Sequence, residues 1–409
     1  MFIWLICLLN PALAGDPPGH LKPLGQHRPP LGGVDEIEDF PLPWDFYENY
    51  VKDGGKPFIL RGYLNRGEVP AYKLWNDQYL KEKFGSEKVD VEQGKKEDRL
   101  KGKLDVVTLR DYLNSYNDSD IYLVHDAPDV MKADLTIPVS LQCGGFHDNL
   151  FKVVLWFSSG GTKSHLHHDG LDNINCLLDG EKDFYMVDKA HEDLIEADGF
   201  LEQQSYSTVD VEAVDMYKFP KLGEVPWYEI HMKKGDCLYI PYKWYHQVDS
   251  KPGRNFAVNI WFYHIWRFNH TDCQTMKSSD QVMKPKLLSS YKKSNSRMLM
   301  WQEILGALSE LKGPIQFDHL EEALFGGDNE EPESKQITQM LFEVIDKDKD
   351  HEVSWEEAYT VDLEELAEII PDILGDPMEP QEDDIVGDPI DPSMDEQGPP
   401  RGDNVHTEL

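Results

Sequence analysis

His167 and Asp169 stand two residues apart in the run Ser164-His165-Leu166-His167-His168-Asp169. An imidazole nitrogen and a carboxylate oxygen are both good ligands for a divalent metal. An extended backbone points alternate side chains to one face, so both can reach a single ion. One more histidine would complete a 2-His-1-carboxylate set, which grips ferrous iron on one side and leaves the other side open. His165 lies on the same face, so the pair His165 and His167 is an alternative on spacing alone. His168 points the other way.

The third ligand is expected on a later strand. Gly235 to Pro241 reads as a turn followed by an apolar strand, and Trp244-Tyr245-His246 follows directly. His246 therefore sits at a strand-turn edge, between aromatics that can exclude water. Downstream of the metal pair, Asp179-Gly180 predicts a hairpin turn. In the strand after it, Lys182 and Phe184 share one face while Glu181 and Asp183 share the other. A lysine on the apolar face is costly unless an anion meets it. An anion meeting it there would be bound through charge-assisted hydrogen bonds.

The elements that must position these groups are mostly strands. Val153–Phe157, Ile174–Leu178, Phe184–Val187, Tyr228–Met232, Cys237–Ile240 and Phe256–Phe262 are short, apolar or alternating, and bounded by Gly, Asp and Pro. Many such strands predict a sandwich or barrel. Upstream, helical patterns are expected over Trp44–Val51, Trp75–Phe84 and Val107–Tyr116. Strands are expected over 56–62, 89–91 and Ile121–Val124, and residues 92–103 read as a charged loop. Residues 188–220 form an insertion of helical and loop character.

Together these stretches resemble the JmjC (cupin) 2-oxoglutarate oxygenases, in particular the compact protein hydroxylases. The matching segments, in order, are Lys56 to Gly62, Trp156 to Thr162, Ser164 to Lys182, Gly235 to His246 and Val258 to Trp261. The resemblance implies a double-stranded β-helix (jelly-roll) with flanking helices over residues 34–270. It implies Fe(II) held by His167, Asp169 and His246, the spacing onward to Asn173, Gly180 and Lys182 favouring this set. It also implies 2-oxoglutarate and O2 as cosubstrates. Lys182 and Ser164 then meet the far carboxylate, Asn173 and Asn259 line the cosubstrate pocket, and Tyr122 is an upstream cosubstrate tyrosine. The target implied is a protein side chain.

After a polar linker at 271–295, residues 296–370 are helical in pattern, a small EF-hand-like domain. The run Asp346 to Glu357 has EF-hand loop spacing, with Asp346, Asp348 and Asp350 at positions one, three and five. Glu352 offers a backbone carbonyl, Val353 the short β-bridge and Glu357 the bidentate carboxylate for Ca2+. His351 stands where glycine is usual, at a position that needs a positive φ. An upstream loop from Leu308 to His319 aligns its Gly313 and Ile315 with the turn and bridge positions. It has Leu308, Lys312 and His319 at ligand positions, so it is expected to pack rather than bind.

Composition bounds the partners and the compartment. The 409 residues carry a net charge of -36, which disfavours nucleic acid. Residues 1–14 read as a signal peptide, with the apolar run Phe2–Leu9 too short to span a bilayer and Ala12-Leu13-Ala14 as cleavage pattern. Residues 15–33 read as a flexible leader. Residues 371–409 form an acidic, Pro-rich tail ending His406-Thr407-Glu408-Leu409, which resembles an endoplasmic-reticulum retrieval signal. The expected location is that lumen, with secretion as runner-up. The expected partners are a secretory-pathway protein substrate and a retrieval receptor, and no membrane-spanning segment is expected. Histone demethylation is disfavoured there. Asn117 and Asn269 head glycosylation sequons. Cys176 and Cys237 read as buried thiols in strands, with Cys143–Cys273 a possible bridge. The rival reading is a calcium-binding lumenal scaffold with a catalytically idle barrel.

Overall fold

A computed structural model describes residues 15–374, apart from 68, 95–103, 198, 202–204, 272, 274–285, 289–295, 309–310, 312 and 327–331. The expected signal peptide, the acidic tail beyond Leu374 and most of the linker lie outside the described residues; the first four residues of the expected tail, Pro371–Leu374, are instead helical, with Leu374 in the second core.

Sixteen strands appear in chain order among the described residues. They are β1 (Asp35–Ile37), β2 (Phe58–Leu60), β3 (Lys88–Gln93), β4 (Leu104–Thr108), β5 (Ile121–Asp126), β6 (Thr136–Ile137), β7 (Leu150–Ser158) and β8 (Asp172–Asp179). There follow β9 (Glu181–Val187), β10 (Phe200–Leu201), β11 (Tyr206–Ser207), β12 (Tyr228–Lys233), β13 (Cys237–Ile240), β14 (Tyr245–Ser250), β15 (Asn255–Phe262) and β16 (Lys286–Leu287). Nine form one large sheet in the order β1-β2-β13-β8-β15-β7-β5-β3-β4, and three form a small sheet in the order β12-β9-β14.

Each long strand divides its side chains between two environments, as the period of two requires. On β15, Phe256, Val258, Ile260 and Phe262 join the large core behind the sheet. There they pack with the helical segments Pro43–Phe46, Asp77–Phe84 and Leu109–Ser115. Ala257, on the opposite face, packs between the sheets with Leu177, Phe184, Met186, Leu238 and Ile240. A strand buried on both faces reads as a continuous apolar run, which is why β15 does. Residues 188–220 cover the outside of the small sheet, burying Val209, Val214, Met216 and Phe219 against Tyr185 and Val187.

Several local expectations are corrected. Asp179-Gly180 does not close a hairpin: β8 pairs with β13 and β15, whereas β9 pairs with β12 and β14. The turn instead carries the chain from the large sheet to the small one. Gly180 sits there at φ 87°, and a Cβ would lie 2.7 Å from the Arg254 carbonyl oxygen. The segment 104–108 is strand β4, and the helix begins only at Leu109, with the Thr108 side chain capping Asp111 N. Cys176 and Cys237 are a disulfide, not free thiols, because β8 and β13 set them directly opposite with Cα atoms 4.1 Å apart. The Cys143–Cys273 bridge is present as well.

A second, separate core gathers Trp301, Leu305, Leu308, Ile315, Leu320, Leu341, Ile345, Val353, Ala358 and Leu366 from the helices and loops after residue 296. Ile315 and Val353 exchange both backbone hydrogen bonds, at 2.8 and 2.9 Å. That antiparallel bridge joins the two loops that the sequence spacing aligns. His351 takes φ 66°. No described helix is long and apolar enough to cross a membrane.

Candidate metal centre and cosubstrate pocket

The metal pair is not held by a continuous ladder. Residues 163–169 run beside β14 through single-residue bridges, Lys163 with Asp249 and His167 with His246, and His167 also bridges Tyr206. His167 and His246 exchange backbone hydrogen bonds of 3.0 and 2.7 Å, which sets their side chains next to each other. His246 is the second residue of β14, directly after the turn where the sequence placed it, and lies opposite Met186 of β9.

Hydrogen bonds fix the two imidazoles. His167 Nδ1 lies 2.9 Å from the His165 carbonyl oxygen, and His246 Nδ1 lies 2.9 Å from that of Trp244. A carbonyl oxygen can only accept, so each Nδ1 carries its proton and each Nε2 presents a lone pair. Those Nε2 atoms stand 3.9 Å and 3.7 Å from the two Asp169 carboxylate oxygens. The donor atoms of His167, Asp169 and His246 all lie within 4.8 Å of one another. Tyr206 stacks on the His167 ring at 5.3 Å, a contact that sequence reading missed because β11 comes from the insertion.

His165 does not join the triad. It supplies its carbonyl to His167, and its ring stands edge-on to Tyr206. His168 points away, stacked on Phe200 and edge-on to Tyr245. Burial, helped by the Lys243 charge, pushes its imidazole down to about 4, so it is neutral near pH 7. Its ring neighbour Tyr245 has its hydroxyl pushed up, first by burial and then by the Glu196 carboxylate that it donates to.

All eight residues proposed from sequence for metal and cosubstrate line one cavity, of ≈ 610 Å³ counting its open mouth. They are Tyr122, Ser164, His167, Asp169, Asn173, Lys182, His246 and Asn259. Lys182 is 3% exposed, on the inner face of β9 beside Phe184, and its ammonium donates to Ser250 Oγ at 2.7 Å. Ser164 Oγ accepts from Val248 N at 2.8 Å. Sequence reading missed Asn175, Ser250, Trp156 and Trp261, which also line the cavity. Period-two alternation from Asn173 to Asn175, and from Asn259 to Trp261, carries the signal that could have found two of them. Oδ1 of Asn173, Asn175 and Asn259 and Nε1 of Trp261 have no hydrogen-bond partner among the described residues. Four such buried atoms facing one cavity favour a polar guest.

The loop after the Pro332–Ile345 helix brings Asp346, Asp348 and Glu357 within 4.8 Å. Asp350 is not in that set, its carboxylate accepting from Glu352 N; Glu352, expected to offer its backbone carbonyl, accepts from Gln316 Nε2 through its side chain. Glu357 accepts from the backbone N–H groups of Lys347, Asp348 and Ser354 and from the Ser354 hydroxyl. Burial pushes its carboxyl up, but these bonds outweigh it and hold the group below its ordinary value. Of the sequon residues, Asn117 is exposed, and Asn269 Oδ1 accepts from both N and Oγ1 of Thr271.

Residues 43–268, more than half of the chain, match the model of the family described as cupin-like domain. Lysine-specific demethylase 8 of Xenopus tropicalis is 27% identical over 217 residues, 51% of this chain and 48% of that protein. Lysine-specific demethylase JMJ30 of Arabidopsis thaliana is 28% identical over 229 residues, 53% of this chain and 52% of that protein. The tRNA wybutosine-synthesizing protein 5 of Gallus gallus is 25% identical over 136 residues, 33% of this chain and 40% of that protein. The chain thus spans about half the length of the first two relatives. With its jelly-roll sheets and the matched segment enclosing the whole cavity, this chain belongs to the cupin-like JmjC domain family.

Proposed function

We propose that this chain is an Fe(II)- and 2-oxoglutarate-dependent dioxygenase that hydroxylates a protein side chain in the endoplasmic-reticulum lumen, with a calcium-binding EF-hand module behind it. The observation that carries the reading is the cavity itself. It joins a 2-His-1-carboxylate donor set to a buried lysine and four unsatisfied polar atoms. The donor set suits Fe(II), since two imidazole lone pairs and a carboxylate face one another with their tautomers already fixed. The rest suits 2-oxoglutarate, whose far carboxylate would meet Lys182 and Ser250, with Asn173, Asn175 and Asn259 lining the path from there to the triad.

Bound there, iron and 2-oxoglutarate would supply the activation of O2 that puts one oxygen atom into a C–H bond and the other into succinate, with loss of CO2. The protein contributes position and dryness. Lys182 and Ser250 anchor the cosubstrate, and Trp156, Trp261 and Phe184 keep water from the reacting centre. Tyr206, from the insertion, stacks over His167.

The relatives' names divide between lysine demethylases and a tRNA-modifying protein, so a name does not select the target. The lumenal location favours a hydroxylated secretory protein. The signal-like start and the retrieval-like end support it, as do two disulfides, which are rare in reducing compartments. Asn117 and Asn269 would carry glycans there. The EF-hand reading rests on the Asp346–Asp348–Glu357 cluster, the positive φ of His351 and the Ile315–Val353 bridge. Asp350 and the Glu352 carbonyl would complete the shell on binding Ca2+.

The test is succinate production from 2-oxoglutarate by the purified, Fe(II)-loaded chain, followed by mass spectrometry of lumenal proteins for added oxygen. Absence of both 2-oxoglutarate binding and succinate would leave the idle-barrel calcium scaffold as the better reading.

A further inference from the structure

Asp172 is a fully buried carboxylate close to the metal segment that the proposed chemistry does not use. It opens β8, three residues after Asp169, and is 0% exposed. Burying a carboxylate is costly unless its lone pairs are filled. Here they are. Oδ1 accepts from the Tyr239 hydroxyl at 2.6 Å and from Tyr242 N at 2.9 Å, and Oδ2 pairs with His264 Nδ1 at 2.7 Å. His264 is itself buried, stacked on Tyr242 at 4.8 Å and edge-on to Trp266 at 4.5 Å.

These partners come from separate parts of the site. Tyr239 belongs to β13, and Tyr242 to the turn that leads into β14 and His246. His264 follows β15, which carries Asn259 and Trp261. The same turn also touches the metal segment directly, since Lys243 N donates to the Asp169 carbonyl at 2.9 Å. One buried carboxylate thus ties the segment bearing Asp169 to the turn leading into His246 and to the exit of the cosubstrate strand.

We propose that Asp172 and His264 form a positioning pair, whose hydrogen bonds set the spacing of Asp169 and His246 for the metal. Neither touches the metal ligands' donor atoms, so their role is exerted through the backbone of 169–172 and 240–246. The inference rests on the metal-site reading above. Outer partners of metal sites typically control affinity by roughly 10–100-fold.

The test is anaerobic Fe(II) titration by calorimetry on the full chain in calcium-saturated buffer, beside thermal unfolding of the metal-free form. Asp172→Ala and His264→Leu remove the tie and should weaken Fe(II) binding at least about tenfold. Asp172→Asn can still accept from Tyr239 and Tyr242 and donate to the other tautomer of His264, and His264→Asn can still donate to Asp172. Both should stay within about threefold of wild type. Folded Asp172→Ala and His264→Leu chains that bind Fe(II) as wild type, with only the melting temperature lowered, overturn the inference. So does an Asp172→Asn loss as large as that of Asp172→Ala. If Asp172→Ala does not fold, His264→Leu against His264→Asn decides the matter. A wild-type chain that binds no Fe(II) overturns the metal-site reading and this inference together; binding that is indifferent to the pair overturns this inference alone.

Discussion

Lys182 and Ser250 are directly opposed across β9 and β14, and the lysine ammonium reaches the serine hydroxyl at 2.7 Å inside the jelly roll. A buried lysine ammonium on the wall of the cavity is well placed to receive an anion. Replacing it by Lys182→Met keeps the volume and removes the charge. A hydrogen bond to a charged group contributes about 1.5–3 kcal/mol. The dissociation constant of 2-oxoglutarate is therefore expected to rise roughly 10- to 150-fold, read by calorimetry. Ser250→Ala should cost less, as a neutral partner. Unchanged affinity in Lys182→Met would remove the lysine from the cosubstrate site.

His246 belongs to the metal set by geometry as well as by type. Fe(II) at about 100 times its dissociation constant should stabilise the wild-type chain by about 2.7 kcal/mol, visible as a raised melting temperature. His246→Ala and Asp169→Ala should each lose that increment and abolish succinate formation. Either variant retaining the full shift would mean that the metal binds elsewhere.

For the helical module, the sensitive residue is Glu357, whose carboxylate already lies against the backbone of Lys347 and Asp348. Glu357→Gln halves its value as a bidentate ligand while keeping its shape. Calcium calorimetry should show heat for the wild type and little or none for this variant, with the helices retained by circular dichroism.

Asp183 offers a pH test away from the metal. Burial would raise its carboxyl, but hydrogen bonds from Lys251 and His231 outweigh that and hold it below its ordinary value. A group with a lowered pKa in the folded chain stabilises it above the unfolded pKa, and loses that contribution as pH falls through the folded one. The melting-temperature gap between wild type and Asp183→Asn should thus be constant near neutral pH and close under acid conditions below the ordinary carboxylate range. A gap that widens on acidification would contradict the assignment.

The Cys176–Cys237 bridge closes a loop of 61 residues. Chain-entropy arguments place such a crosslink at up to about 4 kcal/mol. The double replacement Cys176→Ala with Cys237→Ala should lower the melting temperature measurably under oxidising conditions, and should abolish the difference between oxidised and reduced wild type that this bridge contributes.

The gathering of the candidate residues into one cavity was largely legible, because they sit on short segments with fixed internal spacing. His167, Asp169, Asn173 and Lys182 fall within one run, and alternation along a strand assigns their faces. What depended on the neighbours of those strands was not legible. The Asp179-Gly180 turn has the residues of a hairpin, and only the pairing of β8 and β9 with different partners reveals a corner between sheets. The disulfide between β8 and β13 was hidden for the same reason, as 61 residues separate its halves. Tyr206 and Asp172 were missed because each acts through a contact made by a distant segment: the insertion strand β11 for one, and the exit of β15 for the other.

The two disulfides are nested, with Cys176–Cys237 lying inside the interval from Cys143 to Cys273. Any single cut in the chain between Cys176 and Cys237 is therefore straddled by both. His167, Asp169 and Lys182 would fall on one fragment if the cut came in the insertion over the small sheet, and His246 and Asn259 on the other. The two pieces would still travel as one particle under non-reducing conditions, with the halves of the cavity stitched together. A nicked chain of this kind would lose its integrity only when a reductant arrives, so proteolysis and reduction act on it as a pair rather than singly.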